Sequence, residues 1–177
     1  MDTQVRRSVE DLLRRQAVHW PEAATPAARL MVRLFRLRDL VLAHSSHLAA
    51  ARGVSLTEFD VLAALRGAAP PYELTPTEVC AAVLLSSGGL TKVLRALEAR
   101  GLVARGESPG DRRSVPVRLT EAGRETAERA MADILRADAD LLAAALSQDD
   151  VESLTERLGR LLAWLEKPAP AKTRRKS

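Results

Sequence analysis

TPTEVCAAVLLSSGGLTKVLRALEARG, residues 75–101, is the stretch on which the fold turns. Thr75-Pro-Thr-Glu78 is a capping box with proline at the first helical position, and it opens a helix whose Val79, Cys80 and Val83 face inward. That helix has room for only about two turns before Ser86-Ser-Gly-Gly89. Leu90, Val93, Leu94 and Leu97 then form an apolar helical stripe that ends at Gly101, a left-handed C-terminal stop. The opposite face of the second helix carries Ser87, Gly88, Thr91, Lys92 and Arg95.

A short helix, a small-residue turn and an exposed basic helix are the order that reading duplex DNA requires. A helix fits the major groove, and its outward residues must be small or polar for the backbone to approach base edges. The expected contacts are Ser86, Ser87, Gly88, Gly89, Thr91, Lys92 and Arg95. Taken singly, Ser-Ser-Gly-Gly reads as a loop and the basic residues as a solvated face; the ordered combination points to nucleic acid.

Working outward, Leu102–Glu107 and Ser114–Leu119 read as two strands joined across Ser108-Pro-Gly-Asp-Arg-Arg113. Pro116 lacks an N–H, so an edge ribbon is expected. Arg112 and Arg113 at its tip are placed to reach a phosphate or the minor groove. Upstream, Ser55-Leu-Thr-Glu58 is a further capping box, followed by Phe59, Leu62 and Leu65 on one face and ended by Gly67 and Pro70-Pro71.

The flanks are helical. A short amphipathic helix runs from Val5 to about Ala17, and the next is apolar on two sides, with Leu30, Leu34, Leu37 and Val41 on one and Met31, Phe35 and Leu42 on the other. Thr120 starts a long helix with Ala127, Met131, Ile134, Leu141 and Leu142 inside. Ser147-Gln-Asp-Asp150 caps a last one bearing Val151, Leu154, Leu158, Leu161 and Leu165. These faces exceed what a single small winged helix can cover, so a homodimer is expected. The reading is mainly α with a small β-wing: dimerisation helices over 1–50, a winged helix-turn-helix over 51–119, dimerisation helices over 120–166, and a basic tail over 167–177.

Composition agrees. The 177 residues are 46% hydrophobic but only 3% aromatic, a helical makeup rather than that of a β-sandwich. The net charge of +4 is unevenly placed: Ser86–Leu119 holds seven Lys/Arg against Glu98, Glu107 and Asp111, and the tail from Lys167 adds five basic residues. Concentrated positive charge suits a phosphate-facing surface. A single cysteine excludes an internal disulfide and multi-cysteine zinc sites. With neither a signal-like apolar run nor a membrane-length segment, a cytoplasmic location is expected. No nucleophile–base pair, metal cluster or phosphate loop appears, which argues against an enzyme and against a cofactor.

Three stretches carry a resemblance: LTEFDVLAAL, LTPTEVCAAVLLSSGGLTKVLRALEARGLV and ESPGDRRSVPVRLTEAG. Residues Ser55–Gly123 resemble the winged-helix core of the MarR family of bacterial regulators, and with the flanking helices the likeness covers nearly the whole chain. It implies a dimer on a pseudo-palindromic operator near its own promoter, with Ser87–Lys92 in the major groove and Asp111 orienting Arg113 in the wing. It also implies release from DNA when a small molecule fills a cleft between the dimer helices and the DNA-binding lobe.

Trp20, Asp60, Lys92 and Arg105 resemble the effector-binding set of the urate-responsive branch, although Lys92 stands where that branch has arginine. Lysine keeps the charge and loses the planar bidentate fork. The expected effector is therefore a small aromatic or anionic ligand, with urate, a related purine or a phenolic compound as candidates. Trp20 also fits a simple packing role. Cys80 reads as a buried small hydrophobe more readily than as a redox switch, and His19, His44 and His47 as ordinary helix residues. The competing function is a non-specific or architectural DNA binder, for which Lys172-Thr-Arg-Arg-Lys176 argues.

Overall fold

The computed structural model describes residues 8–83, 85–106 and 115–167. The element order is α1 (Val9–His19), a 3-10 turn (Pro21–Ala23), α2 (Pro26–Ala51), α3 (Leu56–Gly67), β1 (Glu73–Leu74), α4 (Pro76–Val83), α5 (Ser87–Ala99), β2 (Val103–Arg105), β3 (Val117–Leu119), α6 (Glu121–Ala145) and α7 (Gln148–Leu165). The fold is mainly helical with a small antiparallel sheet, as expected. The chain divides into two compact units, one ending at Ile134 and one beginning at Leu135.

Local chemistry sets the helix ends. Ser55 accepts from the Glu58 N–H while the Glu58 carboxylate accepts from the Ser55 N–H at 2.8 Å, closing the capping box of α3. The second box forms as well: the Thr75 N–H donates to Glu78 at 2.7 Å, and the Glu78 N–H to the Thr75 hydroxyl at 3.3 Å. Each box satisfies N–H groups that a helix start otherwise leaves open. These bonds favour the charged form of Glu78 and hold its carboxyl below the ordinary carboxylate value. At the other end of α5, Gly101 turns the chain with φ of +66°, a conformation open to glycine at little cost.

The core of the first unit lies between α3, α4, α5, the sheet and the first turns of α6. Val61, Leu62, Leu65, Val79, Leu90, Leu94, Leu97 and Val117 are buried, joined by Ala127, Ala130 and Ile134. Gly123 is required here: a Cβ on it would lie 1.9 Å from the Leu102 carbonyl oxygen. The Thr120 hydroxyl fastens the same corner, accepting from the Gly123 N–H at 3.0 Å and lying 2.7 Å from the Gly101 carbonyl.

Several expectations need correction. The strand order is β1-β3-β2, so β3 is the central strand and not part of an edge ribbon. Pro116 precedes β3, and the pairing with β1 begins only at Val117 and Arg118, so the missing N–H interrupts no ladder bond. The two-residue β1 has no counterpart among the expected strands. Cys80 and Val83 do face the core, packed against it half-buried, but Met131, Leu141 and Leu142, expected inside, are exposed in the single chain.

Candidate nucleic-acid interface

The surface is built by α5. Ser86 has extended backbone and its hydroxyl accepts from the Gly89 N–H at 3.3 Å, so it starts the helix as N-cap. Leu90, Leu94 and Leu97 bury one face against the core, which leaves Ser87, Gly88, Gly89, Thr91, Lys92 and Arg95 exposed. The helix start therefore presents small groups outward, as expected from the sequence. A Cβ on Gly88 would meet nothing within 4 Å, so nothing in the chain itself demands glycine there. The Thr91 hydroxyl is turned back onto the Ser87 carbonyl at 2.9 Å.

The basic residues divide into two sets. Arg100 donates to the Gly53 carbonyl at 2.7 Å and pairs with Glu58; Arg118 pairs with Glu73 at 3.0 Å; Arg105 Nε donates to Glu98 at 2.6 Å. These three are tied into the lobe. Lys92 and Arg95 have no carboxylate partner among the described residues, and both project from the exposed face of α5. Unpaired cations on a helix whose other side is core are available to bind an anion such as phosphate. Asp111, Arg112 and Arg113, at the expected wing tip, lie outside the described residues.

Three hollows take in three of the residues expected to bind a ligand. One, of about 450 Å³, lies between the start of α4, α5 and β2, with Cys80, Leu85, Leu90 and Leu94 as its apolar lining, Thr77, Ser87 and Thr91 as hydroxyl groups, and Arg105 as the cation. A second, of about 400 Å³, is lined by Phe59, Asp60, Ala63, Ala64, Ala82, Val83 and Met131. Partial desolvation beside these apolar groups raises the carboxyl of the still exposed Asp60 above its ordinary value. A third, between α1 and α2, is bordered by Leu12, Arg15, Gln16, His19, Trp20 and Val32. Within one chain, then, Trp20, Asp60 and Arg105 line separate hollows, and Lys92 stands on the open face of α5. His44 and His47 are exposed on α2, and among the described residues no three His, Cys, Asp or Glu side chains gather as a metal site.

Sequence reasoning missed Glu98, the partner of Arg105. Its helical phase is visible, one turn beyond Leu94, but the turn at Gly101 that brings Arg105 back to it is not expressed as any periodicity. No single helix among the described residues is long and apolar enough to cross a membrane.

Comparison with known proteins agrees with this architecture. The sequence model of the MarR family matches residues 52–114. The HTH-type transcriptional regulator PecS of Dickeya dadantii is 33% identical over 108 residues, 61% of this chain and 64% of that protein, so the match spans just under two thirds of the relative. The HTH-type transcriptional repressor Rv2887 of Mycobacterium tuberculosis is 36% identical over 109 residues, 60% of this chain and 76% of the repressor. The crystal structure of that MarR family protein in complex with salicylic acid superposes with a TM-score of 0.59 at 31% identity, covering 75% of this chain and 95% of the other. Winged-helix core, helix-turn-helix order and sequence likeness converge: the chain belongs to the MarR family of transcription regulators.

Proposed function

We propose that two copies of this chain bind a pseudo-palindromic operator as a homodimer, and that a small aromatic or anionic molecule releases them. The observation that carries the DNA reading is α5: a buried leucine stripe behind an exposed face of small and hydroxyl residues, with Lys92 and Arg95 unpaired by any described carboxylate. Ser86 caps that helix and Ser87, Gly88, Gly89 and Thr91 give the closest backbone approach to base edges. Lys92 and Arg95 hold phosphate, and Asp111, Arg112 and Arg113 extend the grip through the wing. Support for the dimer comes from apolar surface left open on the flanking helices, including Leu30, Phe35 and Leu37 on α2 and Leu161, Leu162 and Trp164 on α7.

For the effector, the hollow behind α5 has the chemistry of an aromatic carboxylate site, with an apolar lining, hydroxyl groups and one guanidinium. Occupancy there bears directly on the helix that reads DNA. The salicylic acid complex of Rv2887 is consistent with this class. Trp20, Asp60 and Lys92 remain the alternative set, with Arg105 common to both, and urate or a related purine or phenol is the ligand they would take.

A footprint on the intergenic DNA upstream of the coding sequence tests the reading. Protection of a two-fold symmetric site at a salt concentration where random duplex is unprotected is the expected result. Equal affinity for random duplex would replace the regulator reading with that of an architectural binder. Adding salicylate and urate in separate titrations then identifies which set of residues answers.

A further inference from the structure

We infer that Glu98 is a resident counter-ion for Arg105, and that it sets how tightly the hollow behind α5 holds an anionic effector. The inference rests on the proposed reading of that hollow as an aromatic carboxylate site. Arg105 is the sole formally charged side chain among the described residues lining it; the remaining lining groups are hydroxyls, a thiol and apolar carbons. An anion entering the hollow has this guanidinium as its electrostatic partner.

That partner is already engaged. Arg105 Nε donates to Glu98 Oε1 at 2.6 Å, and this is the one hydrogen bond of its side chain among the described residues. The two side chains are 39% and 28% exposed, so solvent screens the pair only in part. Glu98 therefore does two things at once. It holds the guanidinium by one edge, leaving the terminal nitrogens for a ligand, and it places a negative charge next to the position where the ligand's charge must come. Two carboxylates around one guanidinium repel each other, so the site favours a carboxylate less than a bare arginine would. Glu98 thus acts on ligand affinity through Arg105 and sets selectivity between anionic and neutral aromatics.

Glu98→Gln separates the two effects, because the amide oxygen still accepts from Arg105 Nε while the charge is gone. Calorimetric titration of the full-length protein with salicylate and with its neutral analogue salicylamide is the test. The salicylate dissociation constant is expected to fall about 3–10-fold in the variant, with salicylamide changed less than about twofold. Unchanged or weaker salicylate binding overturns the counter-ion role. Arg105→Gln distinguishes the two levels of failure. If salicylate binds the wild type and Arg105→Gln loses it while Glu98→Gln changes nothing, only the counter-ion inference falls. If wild type and Arg105→Gln are alike in showing no preference for salicylate over salicylamide, the carboxylate reading of the hollow falls and this inference with it. Should Glu98→Gln prove unstable by thermal melting, Glu98→Ala takes its place: it too is expected to tighten salicylate over salicylamide, and a failure to do so overturns the role.

Discussion

The winged-helix lobe and the last helix are built from similar residues to opposite effect. In α5, Leu90, Leu94 and Leu97 are all buried, each against the core of its own chain. In α7, Leu154, Leu158, Leu161, Leu162 and Leu165 are all exposed, and the helix buries no residue at all. Both helices have an apolar stripe at helical spacing. The lobe closes its own core, whereas α7 leaves its stripe exposed within the single chain, an apolar patch of the kind that marks an interaction surface. A leucine stripe in a sequence therefore declares that a face will be buried without saying by which chain.

That contrast can be broken experimentally, and the largest effect is expected in the lobe. Leu62→Ala removes a fully buried side chain and should cost about 2–5 kcal/mol in urea unfolding, while leaving the self-association constant unchanged. If instead it alters association, the lobe is not self-contained. Next, Leu158→Lys on α7 should raise the dimer dissociation constant tenfold or more, which corresponds to about 1.4 kcal/mol, with sedimentation as the readout. An unchanged constant would move the dimer surface elsewhere.

Smaller effects sharpen the picture at the face proposed to read DNA. Gly88 has open space around it, so Gly88→Ala should raise stability by up to about 0.5 kcal/mol, less than alanine gains over glycine in a helix interior because Gly88 is the second residue of α5. Gly88→Leu should fold equally well yet lose operator binding, since in the proposed reading the added side chain would stand between α5 and the groove. Retained operator affinity would remove the N-terminus of α5 from the contact surface. The smallest effect belongs to Asp60, whose raised carboxyl makes its charged form a cost to the folded state. That cost is absent below the ordinary pKa of 3.8 and is fully felt once pH exceeds the raised folded value. Asp60→Asn should accordingly stabilise the protein slightly at neutral pH, the gain being small because solvent screens this exposed residue, and vanishing in acid. A gain that persists at low pH would assign the effect to packing and not to charge.

Much of the lobe is legible in the sequence. Capping boxes at Ser55 and Thr75, the Ser86 start and the Gly101 stop are written in neighbouring residues, because each rests on bonds spanning three or four positions. The exposed face of α5 is legible for the same reason: helical period alone separates Leu90, Leu94 and Leu97 from Thr91, Lys92 and Arg95. The candidate effector site is less so. Arg105 is singled out by resemblance, but Cys80, Leu85 and Leu94, which share its hollow, come from three separate segments.

What the sequence by itself determined is the order of the helices, where they start and stop, and which side of each is apolar. Only the tertiary structure decided that Glu73 and Leu74 form a third strand, because two residues carry no period. It likewise decided that β3 runs through the middle of the sheet and that Glu98 faces Arg105 across the Gly101 turn. Which cations are tied down and which stand free also belongs to it: Arg100, Arg105 and Arg118 find partners through the packing of α3, α5 and the strands, and Lys92 and Arg95 do not among the described residues. Charge can be counted in a sequence, but the distance between charges, which governs their energy, exists only once the chain has folded.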